Sequence, residues 1–501
     1  MKHSYRGKLD KAHVLKRSVP GLAVLLVVWV SPLRAQAPNE NELAKKVQLL
    51  TDAVDKAQAQ VEESKRQLAD LRQQLADVRR QIGGGGDDPD PPDDAAKLAA
   101  QVEALKENQA MLQSEVATHD QSKVESASKY PVKLSGLILL NGFVNTSQVD
   151  VPAAPGVALY GSGSTGATMR QTVLGIDARG PHIFGAASRA DLRTDFFGST
   201  AGTGSYGTAG FLRLRTAHAA LDWASTEVFF SLDRPLINPE QPTSLTSVAN
   251  PALAWSGNLW SWNPQLGVRH DQSIGEDTRF RVETALIDVG DPPYAAVPYT
   301  VSTNEQSRWP GVQSRLAVVR GREDRGFQLG AGGYFSKRRT VYGGSNFDSW
   351  AAALDYRQPL PGGVELSGNF YRGLALGGLG GGAYKDYGVR PDPDRPGAFY
   401  IRPFDDVGGW AQLKERAGER LEFNEAVGVD DVPAHEVRRY SANASGSYLN
   451  LSRTQTVMGN VIFSPSSWLQ FSLDYRHLTS FWASYPATSA HVIGVAAGYK
   501  F

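Results

Sequence analysis

The chain has 501 residues, and its 52 Lys and Arg balance 52 Asp and Glu, so the formal net charge is zero at neutral pH. This balance gives no support for nucleic acid or a strongly acidic molecule as the partner. The absence of cysteine excludes disulfides, thiolate metal sites and a lipidated N-terminal cysteine. The length permits either several domains or one large β-barrel.

Residues 1–35 have the pattern of a secretory signal peptide. Basic residues precede an apolar run from Val19 to Val30, which is too short to span a bilayer as a helix. The small residues that follow allow cleavage after Ala35 or Ala37, and an uncleaved anchor is the alternative. We therefore expect the protein to be exported from the cytoplasm.

Residues 39–82 repeat apolar side chains at alternating steps of four and three. One heptad position is filled by Val47, Val54, Val61, Leu68, Leu75 and Ile82. This register predicts a coiled coil, and a single amphipathic helix docked on a globular core is the alternative. The Gly, Asp and Pro run at 83–94 predicts a solvated linker, because its aspartates do not have the spacing of an EF-hand loop. A second, short coiled coil is predicted at 95–120.

From residue 130 to 501 the apolar period changes to two. In 183–197, Phe184, Leu192 and Phe196 share one parity with small apolar residues. The opposite parity carries Arg189, Asp191, Arg193 and Asp195. A strand between lipid and water requires this alternation, although a soluble antiparallel sheet with one wet face produces the same pattern.

About sixteen such segments are predicted. They lie near 132–146, 167–179, 183–197, 211–223, 226–232, 265–270, 277–288, 311–320, 326–338, 347–358, 362–374, 406–416, 420–429, 454–463, 467–479 and 489–501. Short turns such as 180–182 alternate with long loops such as 147–166 and 233–264. This alternation is typical of outer-membrane barrels, with both chain ends at the short-turn side. We therefore predict an all-β fold: a transmembrane antiparallel β-barrel in the outer membrane of a Gram-negative-type bacterium, surrounded by outer-membrane lipid, with the preceding coiled coil in the periplasm.

The last strand places Ile493, Val495, Ala497, Tyr499 and Phe501 on one face. A terminal Phe with Tyr two residues earlier resembles the C-terminal signature of bacterial outer-membrane barrels. The resemblance implies that these two aromatic residues are the signal that the barrel-assembly machinery reads. We expect this strand to close the barrel against 132–146.

Charged residues of lumen-facing parity concentrate in the first half of the barrel. The candidates for the pore lining are Arg189, Asp191, Arg193, Asp195, Arg213, Arg215, Arg279, Arg281, Glu283 and Arg315, and those at the start of the long loop are Asp233, Arg234 and Glu240. Arginine keeps its charge at any pH and forks onto carboxylate or phosphate, so a ladder of arginines would favour anions. The alternative is a wall of Arg–Asp pairs that holds the lumen rigid with little selectivity.

A barrel of about sixteen strands is too wide for its own side chains to fill, so it leaves an aqueous channel unless something plugs it. The connection order resembles trimeric sixteen-stranded porins, whose third surface loop narrows the lumen. The coiled coil, together with Pro242-Thr-Ser-Leu and Pro251-Ala-Leu followed by Ser256-Gly-Asn-Leu-Trp260, resembles the DcaP-like porins. That resemblance implies a homotrimer, a periplasmic coiled coil and diffusion of small, often anionic, solutes. The break at 83–94 departs from one continuous periplasmic stalk.

No catalytic motif of the Gly-x-Ser-x-Gly or His-Glu-x-x-His kind is present, and we expect no enzyme activity, no cofactor and no metal site. Two alternatives to a porin remain. A gated receptor for a specific ligand is one, although no plug domain of suitable size precedes the barrel, and a tether, in which the barrel is only an anchor, is the other. Residues 39–120 would then bind peptidoglycan or a periplasmic protein. Electrical conductance distinguishes a porin from a tether, since a tether needs no open lumen.

Overall fold

The computed structural model describes residues 130–198, 210–292, 301–323, 325–340, 342, 344–441 and 448–501. The signal peptide, the two coiled coils and the linker predicted for 1–35, 39–82, 95–120 and 83–94 lie outside the described residues.

The described residues are mostly β-strand. The strands are β1 (Val132–Val149), β2 (Ala158–Thr168), β3 (Val173–Ile183), β4 (Ala186–Gly198), β5 (Phe211–Asp222), β6 (Thr226–Asp233), β7 (Asn263–Ser273), β8 (Thr278–Ile287), β9 (Gly311–Arg320), β10 (Phe327–Arg339), β11 (Asn346–Leu360), β12 (Val364–Leu374), β13 (Tyr387–Pro391), β14 (Phe399–Pro403), β15 (Asp405–Ala417), β16 (Leu421–Asp431), β17 (Leu451–Phe463), β18 (Leu469–Trp482) and β19 (Thr488–Lys500). The helices are α1 (Thr303–Ser307) and α2 (Ala434–Ser441), with 3-10 turns at Pro361–Gly363, Gly377–Leu379, Gly382–Tyr384 and Tyr448–Asn450. Among the described residues, no helix is long and apolar enough to cross a membrane.

Seventeen strands form one sheet, in which every neighbouring pair is antiparallel and the ends meet. β2 pairs with the second half of β1 and β3 with its first half, so the two act as one interrupted strand of a sixteen-stranded barrel. The barrel closes where β1 pairs with β19, with Leu137 opposite Lys500 and Asn145 opposite Val492. β13 and β14 form a separate hairpin outside this sheet. The predicted antiparallel barrel of about sixteen strands is confirmed.

Two predicted boundaries around β2 and β3 are wrong. The long loop predicted at 147–166 contains most of β2, whose run Gly161-Ser-Gly-Ser-Thr-Gly-Ala lacks apolar alternation and therefore reads as a loop. It is held in the sheet by β1, which at 18 residues extends far enough to pair with it. The turn predicted at 180–182 lies instead at Phe184 and Gly185, which both have positive φ.

The two faces of the barrel have opposite character. Outward-facing, exposed side chains include Leu134, Ile138, Leu140, Leu266, Leu354, Phe370, Leu473 and Val495. Inward-facing, buried side chains include Asn141, Asp195, Glu283, Arg315, Asp355, Asn424 and Asp474. A soluble protein has the opposite arrangement, with a polar exterior around an apolar interior. An apolar exterior around a polar interior is the pattern that a barrel surrounded by lipid requires.

The C-terminal residue completes the seam of the barrel. The backbone N–H of Gly136 donates to the carbonyl oxygen of Phe501 at 3.0 Å, and the N–H of Phe501 donates to the carbonyl oxygen of Gly136 at 3.1 Å. The Phe501 ring lies directly over Gly136, where a Cβ atom would be 2.4 Å from Cζ. The ring therefore needs glycine at position 136.

Deleting Phe501 should lower the amount of folded barrel in membranes, because the deletion removes both seam hydrogen bonds and the ring over Gly136. Channels that do insert should keep their conductance, since Phe501 faces outward. The measurement is the heat-modifiable fraction on unboiled gels, with Phe501→Tyr as a control that keeps the ring and the backbone. Equal folded amounts with and without Phe501 would refute its role in insertion.

Candidate functional site

The connection between β6 and β7, residues 234–262, folds against the inner wall of the barrel; we call it the inserted loop. Ile237, Asn238, Ser256, Asn258 and Leu259 are completely buried. Within the loop, Asn238 Nδ2 donates to Asn258 Oδ1 at 2.7 Å and so ties its two arms together. The loop therefore has a defined path inside the barrel.

Side chains from strands far apart around the barrel hold the inserted loop. The wall residues that hydrogen-bond to it include Asn141, Gln313, Asn369, Gln412, Asn460, Asp474 and Arg476. For example, Thr243 N donates to Gln412 Oε1 of β15 at 2.6 Å, while Ser244 Oγ donates to Asp474 Oδ2 of β18 at 2.8 Å. The loop thus crosses the lumen rather than lying along one strand.

The tip of the loop contacts the wall backbone through glycine. Gly257 has φ of 91°, and a Cβ atom there would lie 2.0 Å from the carbonyl oxygen of Gly409 in β15. A Cβ atom on Gly428 of β16 would likewise lie 2.0 Å from the carbonyl oxygen of Ser256. Glycine is required on both sides of this contact, because any side chain would separate the loop from the wall.

An ion-pair belt follows another part of the wall, on strands from β4 to β11. It consists of Asp222, Arg189, Glu227, Arg269, Glu283, Arg315 and Asp355, each joined to the next by a contact of 2.6 to 3.0 Å. Arg315 is 1% exposed and bridges Glu283 and Asp355, which are also buried. The candidate residues Arg189, Glu283 and Arg315 therefore belong to a wall of ion pairs, in which each arginine contacts two carboxylates.

A second group has an excess of positive charge; it contains the candidates Arg213, Arg215 and Asp195 together with Arg170, and we call it the arginine cluster. Arg213 binds Asp195 through two hydrogen bonds of 2.7 and 3.1 Å, and Arg215 approaches the same carboxylate at 3.6 Å. Asp195 is fully buried, whereas the Arg213 and Arg215 side chains are 25% and 16% exposed. Both guanidinium groups also lie over Trp262, at 5.1 and 5.2 Å from the ring centroid. A solute in the lumen would meet the cations and not the carboxylate.

A β-bulge explains how β5 supplies this cluster. The register between β4 and β5 shifts so that Arg193 faces Thr216 while Thr194 faces Leu214. Arg215 is the extra residue, and beyond it the inward parity changes, so His218 also faces the lumen and contacts Glu227 at 2.7 Å. Bulges of this kind commonly redirect a side chain near a functional site.

The remaining candidates have individual places on the wall and loop. Arg193 pairs with Asp177 at 2.6 Å, and Arg279 and Arg281 share Asp271. Asp191 lies in register with Asp177 of β3 and His218 of β5. Asp233 and Arg234 lie at the foot of the inserted loop, where Gln265 binds both of their carbonyl oxygens. Glu240 is bound to the wall by Arg357 at 3.0 Å and Gln328 at 3.3 Å.

Several residues of the site were not among the candidates. Asp355 and Arg357 have lumen-facing parity in the predicted strand 347–358, and Asp474 and Arg476 have it in 467–479, so the alternation could have included them. Arg170 lies in the break between β2 and β3, a position that no strand period reveals.

The segment 375–386, which follows β12, packs onto the inserted loop; we call it the docked segment. The Tyr384 ring stacks on Trp255 with 4.0 Å between centroids, and Ser261 N donates to the Leu379 carbonyl at 3.3 Å. Leu253 and Trp255 in the loop, and Ala375, Ala383 and Tyr384 in the docked segment, have positive φ. Such backbone strain costs on the order of 1 kcal/mol or more per residue and persists only where packing holds it.

Burial shifts the pKa values of two adjacent groups in the docked segment. Burial lowers the pKa of the Lys385 ammonium to about 7, against the opposing effect of Asp430 and Asp406. Its Nζ donates to the carbonyl oxygens of Ala383 and Leu451. Burial raises the pKa of Asp386 to about 6, although Arg338 acts in the opposite direction.

Raising the pH from 7 to 10 should strengthen the docking of this segment. A released Lys385 regains its ordinary pKa of 10.5, so over this window the docked state binds fewer protons and gains up to about tenfold in population per pH unit. Asp386 contributes no change there, because it is ionised above pH 6 in both states. Amide hydrogen exchange of 375–386, corrected for the intrinsic rate, measures the effect. Lys385→Met should remove this gain of docking with pH, and an unchanged slope in that variant would contradict the assignment.

Comparison with known proteins found solved structures that are similar to this chain. No protein-family model and no curated protein matches the chain. Among solved structures, the chain is similar to the outer membrane channel DcaP of Acinetobacter baumannii, with 14% identity and a TM-score of 0.55 over 75% of this chain and 99% of that one. An anion-selective porin from Comamonas acidovorans has 13% identity and a TM-score of 0.44 over 74% of this chain and 100% of that one.

The fold is therefore a closed sixteen-stranded antiparallel β-barrel, similar to that of the DcaP channel. The expected similarity to a DcaP-type barrel is confirmed at the level of fold.

Proposed function

We propose that this protein is an outer-membrane porin, whose water-filled channel passes small hydrophilic solutes by diffusion. The observation that carries the proposal is the inserted loop: a polar-walled barrel with an apolar exterior holds a loop across its lumen through hydrogen bonds from strands on several sides. A loop in this position restricts passage by size, and charged side chains around it restrict passage by charge.

Liposome swelling tests diffusion of solutes directly. Vesicles containing the purified protein should swell in isotonic solutions of a pentose and swell more slowly as the sugar becomes larger. Vesicles that contain heat-denatured protein are the control. Protein that is folded by its gel mobility but causes no swelling with any sugar would reject the porin and leave the tether as the better account.

The arginine cluster supports a preference for anionic solutes. In the described residues, Arg213 and Arg215 both contact the buried Asp195 carboxylate, and Arg170 lies close enough to interact electrostatically with Asp195 and Arg213, so the cluster has an excess of positive charge. Each arginine of the ion-pair belt is already paired with two carboxylates, so the belt adds no free positive charge. The preference therefore rests on Arg170, Arg213 and Arg215 rather than on a ladder of arginines along the whole wall.

The double change Arg213→Gln and Arg215→Gln should move the reversal potential in a salt gradient toward cation preference. The change removes two positive charges and leaves Asp195 with the backbone N–H of Phe197 as its donor but without the two hydrogen bonds from Arg213. The control is Arg213→Lys with Arg215→Lys, which keeps the charge. If the glutamine and lysine variants have the same reversal potential, the cluster does not set selectivity.

The assembly of the protein is part of the same proposal. A homotrimer, recognition of Tyr499 and Phe501 by the barrel-assembly machinery, and a periplasmic coiled coil that contacts peptidoglycan or a periplasmic protein follow from the porin resemblance. Chemical crosslinking of intact cells tests the trimer. Deleting 39–120 should leave the conductance of each folded barrel unchanged if the coiled coil only assembles or tethers.

A further inference from the structure

A glutamate occupies the outward, lipid-facing surface of β16. Phe423, Val427 and Val429 on the same face of this strand are exposed hydrophobic residues, and Glu425 lies between them and is also exposed. The cross-strand neighbours of Glu425 are Leu413 in β15 and Gly459 in β17. A charged side chain on this face is unfavourable in the hydrocarbon region of a membrane.

The described residues give the Glu425 carboxylate no partner. No described cation lies within ion-pair distance, and no described donor hydrogen-bonds to it. Its inward neighbours differ in this respect, since Glu422 contacts Lys414 at 3.9 Å and Arg416 at 3.4 Å. Outward charges elsewhere lie at the end of their strands, such as Lys337 in β10 and Arg372 in β12. Glu425 is therefore a carboxylate that the barrel itself does not neutralise.

A shallow groove adjoins this carboxylate. Its outward-facing lining is Leu366, Leu413, Val427, Val457, Gly459 and Tyr475, and its volume is about 550 Å³. A Cβ atom on Gly459 would meet nothing within 4 Å, so the missing side chain leaves the floor of the groove open. The volume suits a slender acyl chain better than a helix with a diameter of about 10 Å.

The position of Glu425 points to the leaflet on the short-turn side. It lies four positions after Leu421, the start of β16, which corresponds to about 10 Å along the barrel axis at roughly 3.3 Å per residue and a tilt of about 40°. The carboxylate can therefore reach down to the headgroups, while the groove extends into the hydrocarbon region. In the orientation that the proposed function implies, this leaflet faces the periplasm.

We propose that this groove and Glu425 together bind one phospholipid with a primary ammonium headgroup. The acyl chain lies over Gly459 between Leu413 and Val457, and the ammonium group donates hydrogen bonds to the Glu425 carboxylate. The ammonium supplies both the positive charge and the N–H donors that the described barrel lacks at this point. A quaternary ammonium supplies the charge without the donors, and phosphatidylglycerol supplies hydroxyl donors without the positive charge.

Native mass spectrometry of the full chain, released from vesicles that contain equal amounts of phosphatidylethanolamine, phosphatidylcholine and phosphatidylglycerol with identical acyl chains, tests this site. The expected result is retention of phosphatidylethanolamine over phosphatidylcholine by about tenfold, the effect of one charge-assisted hydrogen-bonded contact. Glu425→Gln should bring the ratio to about one. Glu415→Gln, which changes an outward glutamate at the end of β15, should leave the ratio unchanged.

A second variant tests the groove separately from the charge. Gly459→Leu fills the floor and should reduce retention of every lipid at the site while Glu425 is still present. Equal retention of the three lipids by the native chain, or a preference that survives Glu425→Gln, would overturn the proposal. A polypeptide that remains bound in a one-to-one ratio and is lost in Glu425→Gln would also overturn it, because the site would then belong to a protein. None of these results depends on whether the lumen conducts, so failure here is separate from failure of the proposed function.

Discussion

Gly257→Val should raise the single-channel conductance severalfold and make the current noisy. The added side chain cannot fit, because even its Cβ atom would lie 2.0 Å from the carbonyl oxygen of Gly409. The φ of 91° at this position is also unfavourable for a β-branched residue. The tip of the inserted loop should therefore leave the wall and lose its fixed path across the lumen.

The matched control for this variant is Gly459→Val. This glycine lies on β17, close to the same region of the wall, but a Cβ atom there meets nothing within 4 Å. Its conductance should equal that of the native chain. If Gly257→Val conducts like the native chain and the control, the inserted loop does not determine the width of the channel.

Arg315→Met should destabilise the barrel by about 3–5 kcal/mol, the usual effect of removing one member of a buried ion pair. Arg315 forms a 2.6 Å contact with Glu283 and a 2.7 Å contact with Asp355, and all three side chains are at most 4% exposed. Two carboxylates would remain buried without their shared cation. The temperature at which the protein loses its compact gel mobility should fall accordingly.

Two further variants separate charge from packing at this site. After Arg315→Met, Asp355 has no cation and Glu283 keeps only Arg269. The triple change Arg315→Met, Glu283→Gln and Asp355→Asn removes both buried negative charges and should recover most of the lost stability. Arg320→Met, an exposed arginine at the end of β9, should have little effect. A triple variant that is as unstable as Arg315→Met alone would show that the shape of Arg315, and not its charge, stabilises the wall.

The strand pattern was largely predictable, because lipid outside and water inside impose period-two alternation on every strand. The prediction failed for β2, where Gly and Ser replace the apolar face and only the pairing with β1 keeps the strand in the sheet. The strand pattern also could not predict the bulge at Arg215. One extra residue in β5 reverses which alternate residues face the lumen, and it does so without changing the composition of the strand.

The site itself was predictable only as a set of residue types. The alternation of apolar and charged residues predicted that Arg213, Glu283 and Arg315 face the lumen. The same alternation is expected for a ladder of free arginines and for a wall of ion pairs, so it could not distinguish them. The contacts of the inserted loop join residues far apart in the chain, such as Ser244 with Asp474, so no local pattern encodes them. Glu425, on the opposite parity from the lumen, was not among the candidates.

The central claim is that the inserted loop narrows an open, water-filled lumen, and planar-bilayer recording of the purified full chain tests it most directly. We predict discrete conductance steps in the native chain, larger steps in Gly257→Val, and a reversal potential that favours the anion in a salt gradient. Protein that is folded by its heat-modified mobility but gives no conductance steps would contradict the account.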